Sequence, residues 1–257
     1  MPVHPKTPEE TSQSAPPGPR FSLRWLFVVI TIVGLLLALI WPAVRAARQA
    51  ACRQQVFNNL KQVGLGYHIY QDVNSPFPGA ITTRSAGSPH VSWRVELVHF
   101  LESTDLWSRY QFAQPWNSPA NMATCDFYFP AYCGPRAPRS SRFTHIVMPT
   151  GPGTVGEKPA TLSDITDPHD QTILVMTLQR SDILWHEPRD LSIREITRAP
   201  GNPDRILIRG QPFEGGYCAF VDGNVAQLPA KLKYDTLMAM LSIAGGESVD
   251  RTWQSPP

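Results

Sequence analysis

The segment Ile-Thr-Asp-Pro-His-Asp carries the best candidate for a metal site. Asp164 just before this segment, Asp167 and Asp170 recur every three residues, so their oxygens, together with His169, could approach one hard cation such as Ca²⁺. The same residue types form turns ahead of a strand, where an Asx turn or a helix cap explains them without a metal. We favour the turn and expect no metal and no cofactor.

A second candidate is the pair His186–Glu187 beside Trp185, which could act as an acid and a base in a groove. Adjacent residues on a strand point to opposite faces, so this pair is more typical of a loop. The commoner signatures of hydrolases and nucleoside triphosphatases (HExxH, GxSxG and Walker A) are missing. Gly151, Gly153 and Gly156 have the GxGxxG spacing, but no helix is predicted after them, as a dinucleotide-binding enzyme would need. We therefore expect no catalytic residues and no enzymatic activity.

Aromatic side chains give a third candidate chemistry. Tryptophan rings can stack on sugars, although they more often fill a core; four are available in the predicted domain, at Trp93, Trp107, Trp116 and Trp185. Their exposure decides between a glycan-binding surface and a core.

Cysteine spacing and charge exclude other classes. No CxxC pair occurs, so neither a zinc ribbon nor a thioredoxin-like site is indicated. Cys125 and Cys133 could close a short loop by a disulfide outside the cytoplasm, or could be free buried thiols. A net charge of +2 without long basic runs argues against a nucleic-acid partner.

The candidate residues above must be positioned by the rest of the chain, whose first predicted element is an apolar helix. Between Arg24 and Arg45 lies a run without a charge, Trp25 to Val44. At about 1.5 Å rise per residue it spans roughly 30 Å, the thickness of a bilayer's hydrocarbon. Trp25 and Trp41 lie near its ends, where indole rings prefer the headgroup region.

We expect residues 21–44, including Pro42, to form an uncleaved transmembrane helix with the lipid bilayer as its partner. A buried core helix would need a far larger protein around it, and a cleavable signal peptide usually has an apolar region of about 7–15 residues. Residues 1–20 have the composition of a disordered tail. Because the basic residues on the two sides nearly balance, charge does not decide the orientation.

A helical stalk over residues 45–71 is predicted to follow. Apolar or thiol positions recur with an average step of 3.6, at Cys52, Val56, Leu60, Val63, Tyr67 and Tyr70. Gly64 and Gly66 within it indicate close approach of another element, and Asn74-Ser75-Pro76 should end the helix. The stalk opens a single domain over residues 45–246, and a polar tail follows over 247–257.

The rest of the domain should be mixed helix and strand. A second helix is suggested between Trp93 and Tyr110, and strands over Phe143 to Met148, Thr172 to Leu178 and Ile206 to Ile208. The clearest signal is a hairpin in which Asp222-Gly223 supplies a type I′ turn with two positive-φ residues.

Several segments between residues 21 and 230 resemble one known family. They include NNLKQ at 58–62, SWRVELVHFLE, QPWNSPAN, AYCGP, ITDPHDQTIL and FVDGNV. In order and spacing they resemble the planctomycete family built on domain of unknown function 1559, whose members look like type IV pseudopilins. The resemblance implies an α+β, pilin-like fold in which a long N-terminal transmembrane and amphipathic helix packs on an antiparallel β-sheet.

The chain departs from the family pattern at several positions, including Val56, where the family often has a cysteine before NNLKQ. The family's C-terminal motif is a His, nine residues, then Asp-Gly; the Asp-Gly is Asp222-Gly223, but Pro212 stands where the His would be. A prepilin leader ends in Gly before Phe and has Glu at the fifth mature position, whereas this chain has Arg20 and Trp25 there.

The resemblance also implies a place in the cell. It suggests an inner-membrane protein of the cell envelope with a cytoplasmic N-terminus and an extracytoplasmic domain. We expect a structural or interaction role, with similar pseudopilin-like proteins as partners through the N-terminal helix. The alternative is a membrane-tethered module that binds a glycan or peptide through exposed aromatic residues.

Overall fold

The computed structural model describes residues 23–101, 104–134, 137–138, 140–247 and 249. The predicted N-terminal tail lies outside these residues, as does most of the predicted C-terminal tail. The chain divides into two compact units, with the boundary between Ala50 and Ala51.

Helix α1 (Leu23–Asn74) begins in the first unit. It is long and apolar enough to cross a membrane, and its apolar window is entirely exposed. Trp25 and Trp41 are 68% and 63% exposed, and the guanidinium of Arg45 lies 5.0 Å from the Trp41 ring centroid. Pro42 lies inside the helix without ending it.

In the second unit, α1 is amphipathic as predicted. The positions of the predicted apolar stripe are buried or half-buried, and the opposite positions Arg53, Asn58 and Lys61 are exposed. The helix ends at Asn74, two residues before Pro76, because the ring of a proline disfavours helical backbone at the preceding residue.

Both stalk glycines lie where another element comes close. A Cβ on Gly64 would meet the Cα of Gly223 at 3.6 Å, and one on Gly66 would meet Leu101 at 3.4 Å. The prediction of close approach at both positions is confirmed.

The remaining helices are short. The region from Trp93 to Tyr110, predicted to form a second helix, contains two helices and a 3-10 turn over Val98–Leu101. The α-helices are α2 (Trp93–Leu97), α3 (Thr104–Arg109), α4 (Pro119–Thr124) and α5 (Tyr234–Leu241).

Eleven short strands are described within these residues, and most pair antiparallel. They are β1 (Ile81–Thr82), β2 (Val91–Ser92), β3 (Ile146–Val147), β4 (Pro149–Thr150), β5 (Ile173–Thr177), β6 (Leu191–Ser192), β7 (Ile196–Ala199), β8 (Asn202–Ile208), β9 (Gln211–Pro212), β10 (Gly216–Phe220) and β11 (Val225–Leu228). The largest sheet has the order β11-β10-β5-β3, and a second has the order β7-β8-β9. Two-stranded pairs join β1 to β2 and, in parallel, β4 to β6.

The four-stranded sheet separates two hydrophobic cores. On β10, Ala219 belongs to the core that contains Leu60 and Tyr67 of α1. Its neighbours Cys218 and Phe220 belong to the core that contains α5. Since successive side chains of a strand point to opposite faces, the sheet is covered on both sides. The α+β class, with a long N-terminal apolar helix and antiparallel sheets, is confirmed.

The β10–β11 hairpin uses a different turn from the one expected. At the β10–β11 tip, Gly223 N–H donates to Phe220 O (3.0 Å) and Phe220 N–H donates to Asn224 O (2.8 Å), which encloses a three-residue loop. Gly223 has φ +82°, but Asp222 has no positive φ, so the prediction of a type I′ turn there is wrong. Such loops combine a type I turn with one left-handed residue, and only the glycine needs that conformation.

The type I′ pattern occurs instead at the β8–β9 tip. Arg209 (φ 52°) and Gly210 (φ 75°) are the two residues between the paired positions Ile208 and Gln211. Arginine rarely adopts positive φ, so sequence did not reveal this turn.

Candidate functional site

A buried ion pair between Arg94 and Asp190 forms the centre of the polar interior. The side chains of both residues are fully buried, and Arg94 Nη2 donates to Asp190 Oδ1. Asp190 also accepts from Trp93 Nε1 (2.9 Å, on Oδ2) and from Met148 N–H (2.7 Å, on Oδ1). The carboxylate therefore holds α2 against the chain between β3 and β4.

The other donors of Arg94 are used as well. Its Nε donates to Ile146 O (3.1 Å) and its Nη1 to Ser92 Oγ (3.2 Å). The hydroxyl of Tyr132 donates to the main-chain oxygen of Arg94 (2.8 Å). A buried charge is tolerated when it is paired and its remaining hydrogen-bonding groups are satisfied, and Arg94 meets that condition.

Burial also governs protonation around this pair. It raises the pKa of Asp190 to about 6, while Arg94 and the Met148 and Trp93 N–H donors act to lower it. Burial raises the pKa of Tyr67 well above its usual value. Because no atom of either charged side chain reaches solvent, the pair is suited to bracing the fold and not to acid–base chemistry on a substrate.

The NNLKQ segment binds a distant loop. Asn59 Nδ2 donates to Pro130 O (2.7 Å) and to Cys133 O (3.4 Å). Asn59 is 8% exposed, so these bonds satisfy a nearly buried amide. One polar residue of α1 thus joins the helix to the loop that contains Pro130 and Cys133.

The QPWNSPAN segment forms the start of α4 and the loop before it. Ser118 caps the helix by accepting from Asn121 N–H (3.3 Å). The side chain of Asn121 is fully buried. Its Oδ1 accepts from Gln111 N–H, and its Nδ2 donates to Gln111 O and to Pro115 O (3.0 Å). These polar residues of the motif bind the protein's own backbone.

The ITDPHD segment binds the C-terminal end of the domain. Asp164 accepts from the N–H and hydroxyl of Thr161 (both 2.7 Å), in a capping box. Asp167 accepts from Gly245 N–H and Gly246 N–H (both 2.8 Å). Among the described residues, no group of three or more His, Cys, Asp or Glu is placed to hold a metal ion.

The candidate acid–base pair and the four candidate tryptophans do not form one common site. His186 and Glu187 lie in a turn, as expected; His186 is 1% exposed, whereas Glu187 pairs with Arg189 (2.6 Å). Trp93 and Trp185 are fully buried, and Trp107 and Trp116 are half-buried.

The candidate disulfide is not formed. All four cysteines are free, and Cys125 and Cys133 are both buried. The thiol of Cys133 donates instead to Phe143 O (3.5 Å).

An open groove lies between the end of β5 and the β8–β9 hairpin. It is lined by residues 177–182, 208–209 and 211–215, which include Pro212. Arg209 at its rim is bound by Asp182 (2.6 Å) and Glu195 (3.0 Å).

Sequence reasoning missed Asp190, Asn59 and Asn121 as the organising polar residues. Asp190 follows Pro188 and Arg189 in a segment with the composition of a surface loop, and no local pattern marks it as buried. Arg94 did offer a signal, because it is a charged residue flanked directly by the apolar residues Trp93 and Val95.

Comparison with known proteins supports the family resemblance. A family model described as "Protein of unknown function (DUF1559)" matches residues 45–197, more than half of the chain. No curated protein and no solved structure gives a significant match. The chain therefore belongs to the DUF1559 family.

Proposed function

We propose that this protein is a single-pass, membrane-anchored, pseudopilin-like component of the cell envelope with a structural or interaction role. Residues 25–44 hold it in the inner membrane, and the domain lies on the outer side of that membrane. The partners are similar proteins, which it meets through α1.

The observation that carries the proposal is a row of exposed aliphatic side chains on α1. Leu65, Ile69 and Val73 are 60%, 38% and 69% exposed. Residues four apart lie on one face of a helix, so the three form a single stripe. Polar Lys61 and Asp72 border it. An apolar patch with a polar rim is typical of an interaction site.

The hydrogen bonds made by the motif residues and by Asp190 support the same structural role. All of these side chains bind groups of the domain itself; they are Asn59, Arg94, Asn121, Asp167 and Asp190. They stabilise the scaffold, and their polar atoms are already engaged. The buried Trp93 and Trp185 likewise argue against a surface that stacks sugars.

Cysteine crosslinking in intact membranes tests the proposal. Val73→Cys, in a chain carrying Cys52→Ser, should give a crosslinked species with a bismaleimide because the stripe faces a neighbouring protein. Ser85→Cys, exposed in the loop between β1 and β2, is the matched control and should give much less. Equal crosslinking at both positions, or none at Val73, would contradict a role for the stripe.

A further inference from the structure

The imidazole of His186 and the thioether of Met122 meet at a place that no motif uses. His186 Nε2 lies 3.4 Å from Met122 Sδ. The ring of Trp116 lies beside the imidazole, with centroids 5.8 Å apart. Trp116 and Met122 are half-buried while His186 is 1% exposed, so solvent reaches the group from the Trp116 and Met122 side.

One nitrogen of the histidine has no partner. His186 Nδ1 is buried and makes no hydrogen bond within the described residues. Because no neighbouring group fixes the state of Nδ1, either ring nitrogen can carry the proton. With the proton on Nδ1, the Nε2 lone pair faces the sulfur, and an ion between these two donor atoms would be attracted by both.

Distance and atom type point to a particular class of ion. For bonds of about 2.0 Å to nitrogen and about 2.3 Å to sulfur, a separation of 3.4 Å corresponds to an N–metal–S angle of about 105°, near the tetrahedral value. Thioether sulfur selects soft ions such as Cu(I), and imidazole is also a copper ligand. Hard ions such as Ca²⁺ and Mg²⁺ require oxygen ligands, so they do not fit.

We infer that His186, Met122 and Trp116 form a binding site for one soft monovalent metal ion, Cu(I) or Ag(I). His186 and Met122 supply the two ligand atoms. The half-buried indole of Trp116 adds a cation–π contact, for which tryptophan is the best aromatic partner.

The surroundings keep the imidazole ready to bind. Burial lowers the pKa of His186 to about 4, with Glu187 and Asp126 raising it and Arg142 lowering it. The ring is therefore neutral at pH 7, as a metal ligand must be. Asp126 and Arg142 form an ion pair with each other (2.9 Å), so their charges largely cancel.

Thiols are the competing ligands for such an ion. Burial raises the pKa of Cys125 to about 12 and that of Cys133 to about 11, and it raises the pKa of Cys218 further. These thiols stay protonated and buried, which makes them poor ligands at neutral pH. Cys52 is only half-buried, so the test is made with Cys52→Ser.

Titration of the detergent-solubilised full chain with Ag⁺ tests the inference. The Cys52→Ser protein should bind one Ag⁺ per chain and quench tryptophan fluorescence. Met122→Leu conserves volume and should weaken Ag⁺ affinity by at least about tenfold while leaving the melting temperature nearly unchanged. Met238→Leu, which removes a half-buried thioether from α5, is the matched control and should bind like the parent.

The following results would contradict the proposed binding site. Cys52→Ser protein that binds no Ag⁺ would show that the ion was held by that thiol. Met122→Leu protein with the parent's affinity, or equal losses in Met122→Leu and Met238→Leu, would show that the ion lies elsewhere. Copper X-ray absorption of the Cu(I)-loaded chain gives an independent readout, with one nitrogen and one sulfur scatterer expected.

Discussion

Gly223 lies at the hairpin tip, near Gly64 and His68 of α1. Its φ of +82° lies in the left-handed region, and a Cβ there would meet His68 Nε2 at 3.6 Å. Space is therefore available for a side chain, but the backbone conformation is unfavourable for one, particularly a β-branched one.

Replacing Gly223 by Val should lower the free energy of unfolding by roughly 1–3 kcal/mol, since a β-branched residue resists positive φ. Gly223→Asn should lose less, because asparagine tolerates this region better. Chemical denaturation of the full chain in detergent measures both. A valine variant that unfolds like the parent would show that the left-handed conformation is not required.

Asp190 should be much less replaceable than an exposed carboxylate. Asp190→Asn leaves the buried Arg94 without its counter-charge and should lower the free energy of unfolding by about 3–5 kcal/mol. Asp105→Asn breaks an exposed pair with Arg109 and should change it by less than about 1 kcal/mol. Similar losses in the two variants would contradict the bracing role of the buried pair.

His186 should make stability depend on pH. Its folded-state pKa of about 4 lies below the usual value of 6.5, so between these values the unfolded chain binds a proton that the folded chain does not. The free energy of unfolding should therefore fall as pH falls from 6.5 to 4, by up to about 3 kcal/mol from this residue.

Urea denaturation at pH 7 and at pH 4.5 measures this dependence. His186→Gln should reduce the difference between the two pH values, and His90→Gln, at an exposed position, should not. Burial also lowers the pKa of His145, so part of the dependence should remain in the variant. An unchanged difference in His186→Gln would contradict the assignment.

Elements with a strong local pattern were predictable, and elements set by distant contacts were not. The stripe on α1 and its end before Pro76 follow from helical periodicity and proline chemistry, which act within a few residues. Strand β3 has only Ile146 and Val147 where six residues were predicted, because its single partner β5 pairs with it at two positions.

The buried ion pair could not be predicted from the sequence for the same reason. Asp190 and Arg94 are 96 residues apart in sequence, and nothing local to Asp190 indicates that it is buried. The hairpin at Asp222-Gly223 was foreseen, but its turn type depends on whether the loop has two or three residues. That number is set by the pairing of Ala219 with Val225.

At the scale of the whole molecule, the membrane orientation is the main consequence to test. If the domain is extracytoplasmic, alkaline phosphatase fused after Gln254 should be active, because the enzyme needs an oxidising compartment to form its disulfides. The same fusion ahead of Phe21 should be inactive. The reverse pattern would overturn the proposed topology.

The hydrogen bonds between Asp167 and two glycines bear on the order of folding. Gly245 and Gly246 lie 78 and 79 residues beyond Asp167 in sequence, and strands β5 to β11 and helix α5 lie between them. The Asp167 carboxylate cannot receive these two N–H donors until all of that intervening segment has been synthesised. A nascent domain therefore keeps this part open after Asp167 has left the ribosome, and closes it only when a segment made much later arrives.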